Sequence, residues 1–84
     1  MTKPTQIDKY GTKFWENVSG KLHREDGPAL ETIHGTNLWW VNGALHRLDG
    51  PAIDISNGHK EWYINGEELT EEEHAERVKE MQDD

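Results

Sequence analysis

Between residues 12 and 64 the apolar positions come in short alternating runs, each closed within a few residues by glycine or proline. Period-two alternation of this kind predicts strands at 12–17, 29–33, 37–41, 52–56 and 60–64. Asn42-Gly43, Asn57-Gly58 and Asn65-Gly66 supply the left-handed backbone that tight turns need. Pro28 and Pro51, which donate no backbone hydrogen bond, restrict their strands to starting just there. The connections are too short for parallel crossovers, so an antiparallel meander follows. Alternation also sorts the side chains. Trp15, Trp39, Val41, Trp62 and Ile64 should share one face, and Phe14, Leu38, Trp40 and Tyr63 the other.

After residue 70 the period changes. Thr70-Glu71-Glu72-Glu73 has the form of a capping box, with acids in the first turn where the helix dipole favours them. A helix over 71–82 is expected, with Ala75, Val78 and Met81 (and Leu69 before the cap) as a narrow stripe docking on the sheet. Glu73 and Arg77 stand at the favourable i, i+4 spacing. The expected fold is mainly β: one domain over 1–84, with three stacked β-hairpin repeats at 11–69 and an acidic C-terminal helix and tail at 70–84.

The strand pattern is a sequence repeat. His23-Arg24-Glu25-Asp26-Gly27-Pro28-Ala29 returns as His46-Arg47-Leu48-Asp49-Gly50-Pro51-Ala52, and Trp39-Trp40-Val41-Asn42-Gly43 as Trp62-Tyr63-Ile64-Asn65-Gly66, both 23 residues on. A looser first copy is Gly11-Thr12-Lys13-Phe14-Trp15 followed by Ser19-Gly20-Lys21-Leu22, with one extra residue between its Trp and the next Gly. A period in this range marks a stacked-repeat architecture.

The pattern Trp-x-x-Asn-Gly-x-Leu-His at this period resembles a divergent MORN-type repeat. More closely, it resembles the His-Arg-x-Asp-Gly-Pro-Ala repeat proteins of tailed bacteriophages and other large viruses. The resemblance covers about residues 11–69. It implies hairpins stacked into an elongated single sheet that binds proteins or, in some members, membrane lipids, and it implies no catalytic residues. Most MORN proteins carry many copies, whereas this chain carries three. The third has lost His-Arg-x-Asp-Gly-Pro and reads Glu67-Glu68-Leu69-Thr70.

Composition narrows the picture. Leu, Ile, Val and Phe number only 15 of 84 residues at a net charge of −8, which borders on disorder. The four Trp and the in-register repeat argue for a fold. Without cysteine, disulfides and thiolate metal sites are impossible. The start of the chain has no secretory pattern and no segment has the length of a membrane span, so a cytoplasmic location is expected, that of the bacterial host if the chain is phage-derived. The charge is one-sided: residues 67–84 hold nine acids against Arg77 and Lys79, while residues 1–66 are nearly balanced. Direct nucleic-acid binding, which needs clustered cations, is not expected.

Candidate residues follow. Repeated His23/Arg24/Asp26 and His46/Arg47/Asp49 read first as turn structure, with Asp accepting backbone N–H groups and Arg bridging to it or to a neighbouring repeat. Anion or nucleotide binding by Arg24 and Arg47 is the alternative, and metal ligation a remote one. His34 and His59 read as turn residues. Ser19 and Ser56 lack a His–acid partner at a spacing that suggests one, and no glycine-rich phosphate loop is present, so no enzyme and no cofactor are expected. Trp40 and Tyr63, facing away from the Trp15/Trp39/Trp62 ladder, are candidate contact residues of the kind that dominate interfaces. The acids Glu71, Glu72, Glu73, Glu76 and Glu80 read either as a solubilising cap or as a surface that seeks a basic partner. The expected function is a non-enzymatic module, of phage origin by its resemblance, that binds a host bacterial protein and modulates or inhibits it, a defence or nucleic-acid-binding protein among the candidates. The alternatives are a nucleotide sponge using Arg24, Arg47 and the aromatics, and an assembly component. Open sheet edges also leave room for a homodimer.

Overall fold

A computed structural model of the chain describes residues 3–82. It is mainly β, an antiparallel meander with one C-terminal helix. The strands are β1 (Gln6–Ile7), β2 (Lys13–Phe14), β3 (Leu30–Glu31), β4 (Asn37–Leu38), β5 (Trp40–Val41), β6 (Ala44–Leu45), β7 (Ile53–Asp54), β8 (Lys60–Ile64) and β9 (Glu67–Leu69), followed by α1 (Glu71–Gln82). The main sheet runs β1-β2-β3-β4-β7-β8-β9, and β5 with β6 forms a separate two-stranded arm. The helix has the predicted span. The predicted strands exist; that at 60–64 has its predicted span, the others are shorter, and the 37–41 strand is divided at Trp39. Sequence reading missed β1, β6 and β9, because a two- or three-residue arm is too short to display alternation.

Turn chemistry sets the registers. Asn42-Gly43 and Asn65-Gly66 have positive φ at both residues (50° and 83°, 51° and 82°), the geometry whose twist matches a two-residue hairpin. At 8–12, 17–21, 32–36 and 55–59 a longer turn is used, closed by a bond from the glycine N–H to the carbonyl three residues back, as in Gly35 to Thr32 at 3.2 Å. The extra residue of copy one therefore has a definite effect. It exchanges the two-residue Asn-Gly turn for Asn17-Val18-Ser19-Gly20, in which Asn17 Oδ1 accepts the N–H groups of Ser19 (2.9 Å) and Lys21 (3.1 Å). Asn57-Gly58 also differs from the other Asn-Gly pairs, because only its glycine is left-handed.

The core is a row across the sheet. Backbone bonds join Trp15 to Ala29, Trp39 to Ala52, Ala29 to Leu38 and Ala52 to Glu61, so Trp15, Ala29, Trp39, Ala52 and Trp62 lie side by side. Trp and Ala alternate, and both alanines are fully buried between indoles. This explains why the repeated heptapeptide ends in Ala: anything larger would push the flanking rings apart, and overpacking a filled core costs about 1–3 kcal/mol. Leu69 pairs with Trp62 and extends the row to the last strand.

One face of the sheet is roofed. Arg24 lies 4.0 Å above the Trp15 ring and Arg47 3.8 Å above Trp39, each carried there by its heptapeptide loop. Trp62 has Thr70 in the position of this arginine, and α1 packs on β8 and β9 instead. The docking stripe differs from the expected one. Ala75 and Met81 are exposed, while His74 is buried and Arg77 and Val78 are half-buried. The inward face is thus rotated by about one residue, because the fixed point is a polar contact: His74 Nε2 to the Arg47 carbonyl at 2.6 Å. The capping box is formed, with Thr70 Oγ1 accepting from Glu73 N–H (3.0 Å) and Glu73 Oε1 from Thr70 N–H (2.8 Å). With Glu73 engaged there, Arg77 pairs with Glu67 at 3.3 Å rather than with Glu73.

Candidate interaction surfaces

Each loop arginine is held on several sides. Arg24 Nε donates to Asp26 Oδ1 (2.8 Å) and Nη1 to the Pro28 carbonyl (3.1 Å) and Glu31 (3.3 Å). Arg47 repeats this with Asp49 (2.9 Å) and the Pro51 carbonyl (3.0 Å). A Cβ on Gly27 or Gly50 would come within 2.8 Å of the guanidinium carbon, so a side chain there would have to displace the end of the arginine. The hydrogen bond from Arg47 holds the Asp49 carboxyl below its ordinary range. Asp26 and Asp49 thus bind the arginine of their own loop, the bridge expected from the sequence. The guanidiniums are occupied by ring, carboxylate and carbonyl, and Arg24 is only 7% exposed. This leaves the two arginines poorly disposed to act as an anion pair.

The histidines join copies. His23 Nδ1 accepts from Asn42 N–H (2.9 Å) and His46 Nδ1 from Asn65 N–H (3.0 Å), so each imidazole buttresses the Asn-Gly turn of the next copy. Beside them the Leu22 and Leu45 carbonyls accept from Gly43 and Gly66 (2.8 Å each). Acceptance at Nδ1 requires the ring proton at Nε2. Burial, with His74 nearby, pushes the His46 pKa below 6.5. Among the described residues, no three His, Asp or Glu side chains converge to hold a metal ion.

The opposite face is apolar. Register places Phe14, Leu30, Leu38 and Ile53 in one row. Trp40 pairs with Leu45 and Tyr63 with Glu68 on that same face. All these apolar side chains are half-buried. The Trp40 Nε1–H is itself buried with no acceptor. Tyr63 donates to Glu61 (3.2 Å), which also takes the His59 ring nitrogen. Desolvation and the neighbouring Glu68 and Glu61 raise the Tyr63 pKa above 10, while the bond from His59 lowers that of Glu61. Trp40 and Tyr63, expected as contact residues, therefore sit within a larger apolar field with Glu61 and Glu68 at its C-terminal side.

The acids of α1 are placed differently. Glu71, Glu72, Glu73, Glu76 and Glu80 are all exposed, but Glu73 is committed to the cap. Asp83 and Asp84, counted in the acidic tail, lie outside the described residues. No described helix is long and apolar enough to cross a membrane.

On the roofed face the two heptapeptide loops wall an open groove of about 750 Å³. Its floor is Trp39 and Val41, and its walls include Glu25, Asp26, Leu48 and Asp49. Sequence reading gave no sign of this groove, because it arises from the stacking of copies. Compared with known protein families, with curated proteins and with solved structures, the chain shows no match.

Proposed function

We propose that this chain is a non-enzymatic protein-binding module whose partner covers the apolar sheet face opposite Arg24 and Arg47. The observation that carries the reading is the apolar row of Phe14, Leu30, Leu38 and Ile53, with Trp40 and Tyr63 on the same face, all of them only partly buried. A contiguous apolar patch rimmed by polar groups is the usual mark of a protein contact. Glu16, Glu61 and Glu68 border the patch and Glu71, Glu72, Glu76 and Glu80 extend the negative charge beyond it, so the partner has a basic surface. The viral resemblance of the heptapeptide makes a host bacterial protein the partner, with modulation or inhibition as the outcome. The nucleotide-sponge alternative loses support, because the two arginines it needs are engaged within their own loops.

The test is capture of a partner from bacterial lysate by the tagged full-length chain. Beside it run Tyr63→Ser and Ile53→Lys, and a variant with Glu71, Glu72, Glu76 and Glu80 changed to Gln, each checked by thermal unfolding. Loss of a stoichiometric partner in the sheet variants, with weaker and more salt-sensitive retention in the acid variant, is the expected result. Equal retention by all of them would overturn the assignment to this face.

A further inference from the structure

The fold treats its three Asn-Gly pairs differently. Asn42-Gly43 and Asn65-Gly66 are tied to the preceding copy at both residues. The two Asn N–H groups donate to His23 and His46 Nδ1 (2.9 and 3.0 Å), and the two Gly N–H groups to the Leu22 and Leu45 carbonyls (2.8 Å each). Asn42 Oδ1 also accepts from Asn17 Nδ2 at 3.2 Å. Asn57-Gly58, at the tip between β7 and β8, is held only by its own turn. The Gly58 N–H donates to the Ile55 carbonyl (2.9 Å), and Asn57, Gly58 and His59 are all exposed. No described atom lies within 4 Å of where a Gly58 Cβ would stand. Asn57 Oδ1 accepts the His59 N–H at 2.9 Å, so the Asn57 side chain is folded back along the Gly58 peptide.

We propose that Asn57 is a self-modification site, at which the Gly58 backbone nitrogen displaces the side-chain amide and water then leaves aspartate or isoaspartate. Water is the only co-reactant. The Gly58 nitrogen gives its proton to solvent base and bonds to Asn57 Cγ. The Cγ–Nδ2 bond then breaks, ammonia leaves with a proton from water, and a succinimide ring remains. Water opens that ring at Cγ to give aspartate, or at the main-chain carbonyl to give isoaspartate. The turn favours the first step in two ways. The His59 N–H is already bound to Oδ1, the oxygen on which negative charge develops as the nitrogen adds to Cγ. A glycine nitrogen, with no Cβ beside it, is also free of steric hindrance. Ring closure swings the Gly58 nitrogen toward Cγ, and here only the bond to Ile55 resists. At Asn42 and Asn65 the same swing breaks contacts that join copies. Asn17 is the converse case: its Oδ1 accepts the Ser19 N–H at 2.9 Å, but its nucleophile would be the hindered nitrogen of β-branched Val18. Either product adds a carboxylate beside His59, and isoaspartate also adds a methylene to the main chain at the hairpin tip. The site is independent of the partner contact on the sheet face.

The test is incubation of the full-length protein at mildly alkaline pH, with amide loss at each Asn located by acidic proteolysis and peptide mass mapping. The same incubation in urea gives the rate of each site without the fold. Relative to urea, Asn42 and Asn65 should be slowed about tenfold or more, because reaction there waits on opening of a hairpin bound to its neighbour. Asn57 should be slowed less than about threefold, and its aspartate and isoaspartate forms should be the main products of the folded chain. His23→Ala, which frees the Asn42 turn alone, should raise the Asn42 rate more than that of Asn65. Protection of Asn57 equal to that of the other two would overturn the proposal, as would Asn42 or Asn65 reacting as fast as Asn57 in the folded protein. An equal rise at Asn42 and Asn65 in His23→Ala would mark opening of the whole domain, and would overturn the assignment of their protection to the bonds between copies.

Discussion

Arg47 and Gly50 show how a repeat is specified by side chains that need one another. Arg47 lies on Trp39, binds Asp49 and the Pro51 carbonyl, and leaves no room for a Cβ at Gly50. Gly50→Ala should therefore destabilise the fold by about 1–3 kcal/mol through displacement of the guanidinium. In an Arg47→Ala background the same change should cost well under half as much, since there is nothing left to displace. A denaturant double-mutant cycle measures this coupling, and additive costs would show that the glycine is needed for backbone reasons alone. His46 has a comparable dependence on its proton. Its folded pKa lies below the ordinary 6.5, so the unfolded chain takes up the proton first. The stability it contributes is complete above about pH 6.5 and is lost as pH falls through the lowered folded value. Protonation would place an N–H at Nδ1 against the N–H of Asn65. Urea midpoints should fall from pH 7.5 to 5, by at most about 1.4 kcal/mol per pH unit for this one group. His46→Asn, which keeps an acceptor for Asn65, should have a shallower slope; an unchanged slope would assign the effect to other groups.

At the scale of elements, α1 has little helical stabilisation of its own apart from its cap and its seat. Its inward face offers one buried side chain, His74, with Val78 and Arg77 half-buried. The reciprocal Thr70–Glu73 bonds are therefore a large share of what fixes its start. Thr70→Ala should cost about 1 kcal/mol of stability and raise amide exchange in the first turn before the sheet is affected. Uniform exchange across α1 and β8 would show instead that the helix opens only with the whole domain. The strands depend even more on context, since most are only two residues long and are held by neighbouring copies. The sequence displayed their alternation and turns but could not display β6 or β9, whose pairing is dictated by the positive-φ Asn-Gly turns.

For the molecule as a whole, the period, the antiparallel order, the sorting of Trp15 and Trp39 from Phe14 and Leu38, and the helix over 71–82 all follow from local rules. Alternation, turn residues and a capping box act within a few positions of the chain, so they are legible in one dimension. Which face is roofed is a different kind of fact. Both faces carry aromatics, and the choice rests on where the heptapeptide loops fall when Arg24 and Arg47 find the indole rings. The same packing turned the two arginines from candidate ligand groups into internal struts and moved the docking edge of α1 from Ala75 and Met81 to His74. It also left an open groove between the two heptapeptide loops, beside the Arg47 that lies on Trp39. None of these depends on neighbours in sequence. They depend on distances between copies, and a loop, a ring and a carbonyl separated by many residues meet only after the hairpins have stacked.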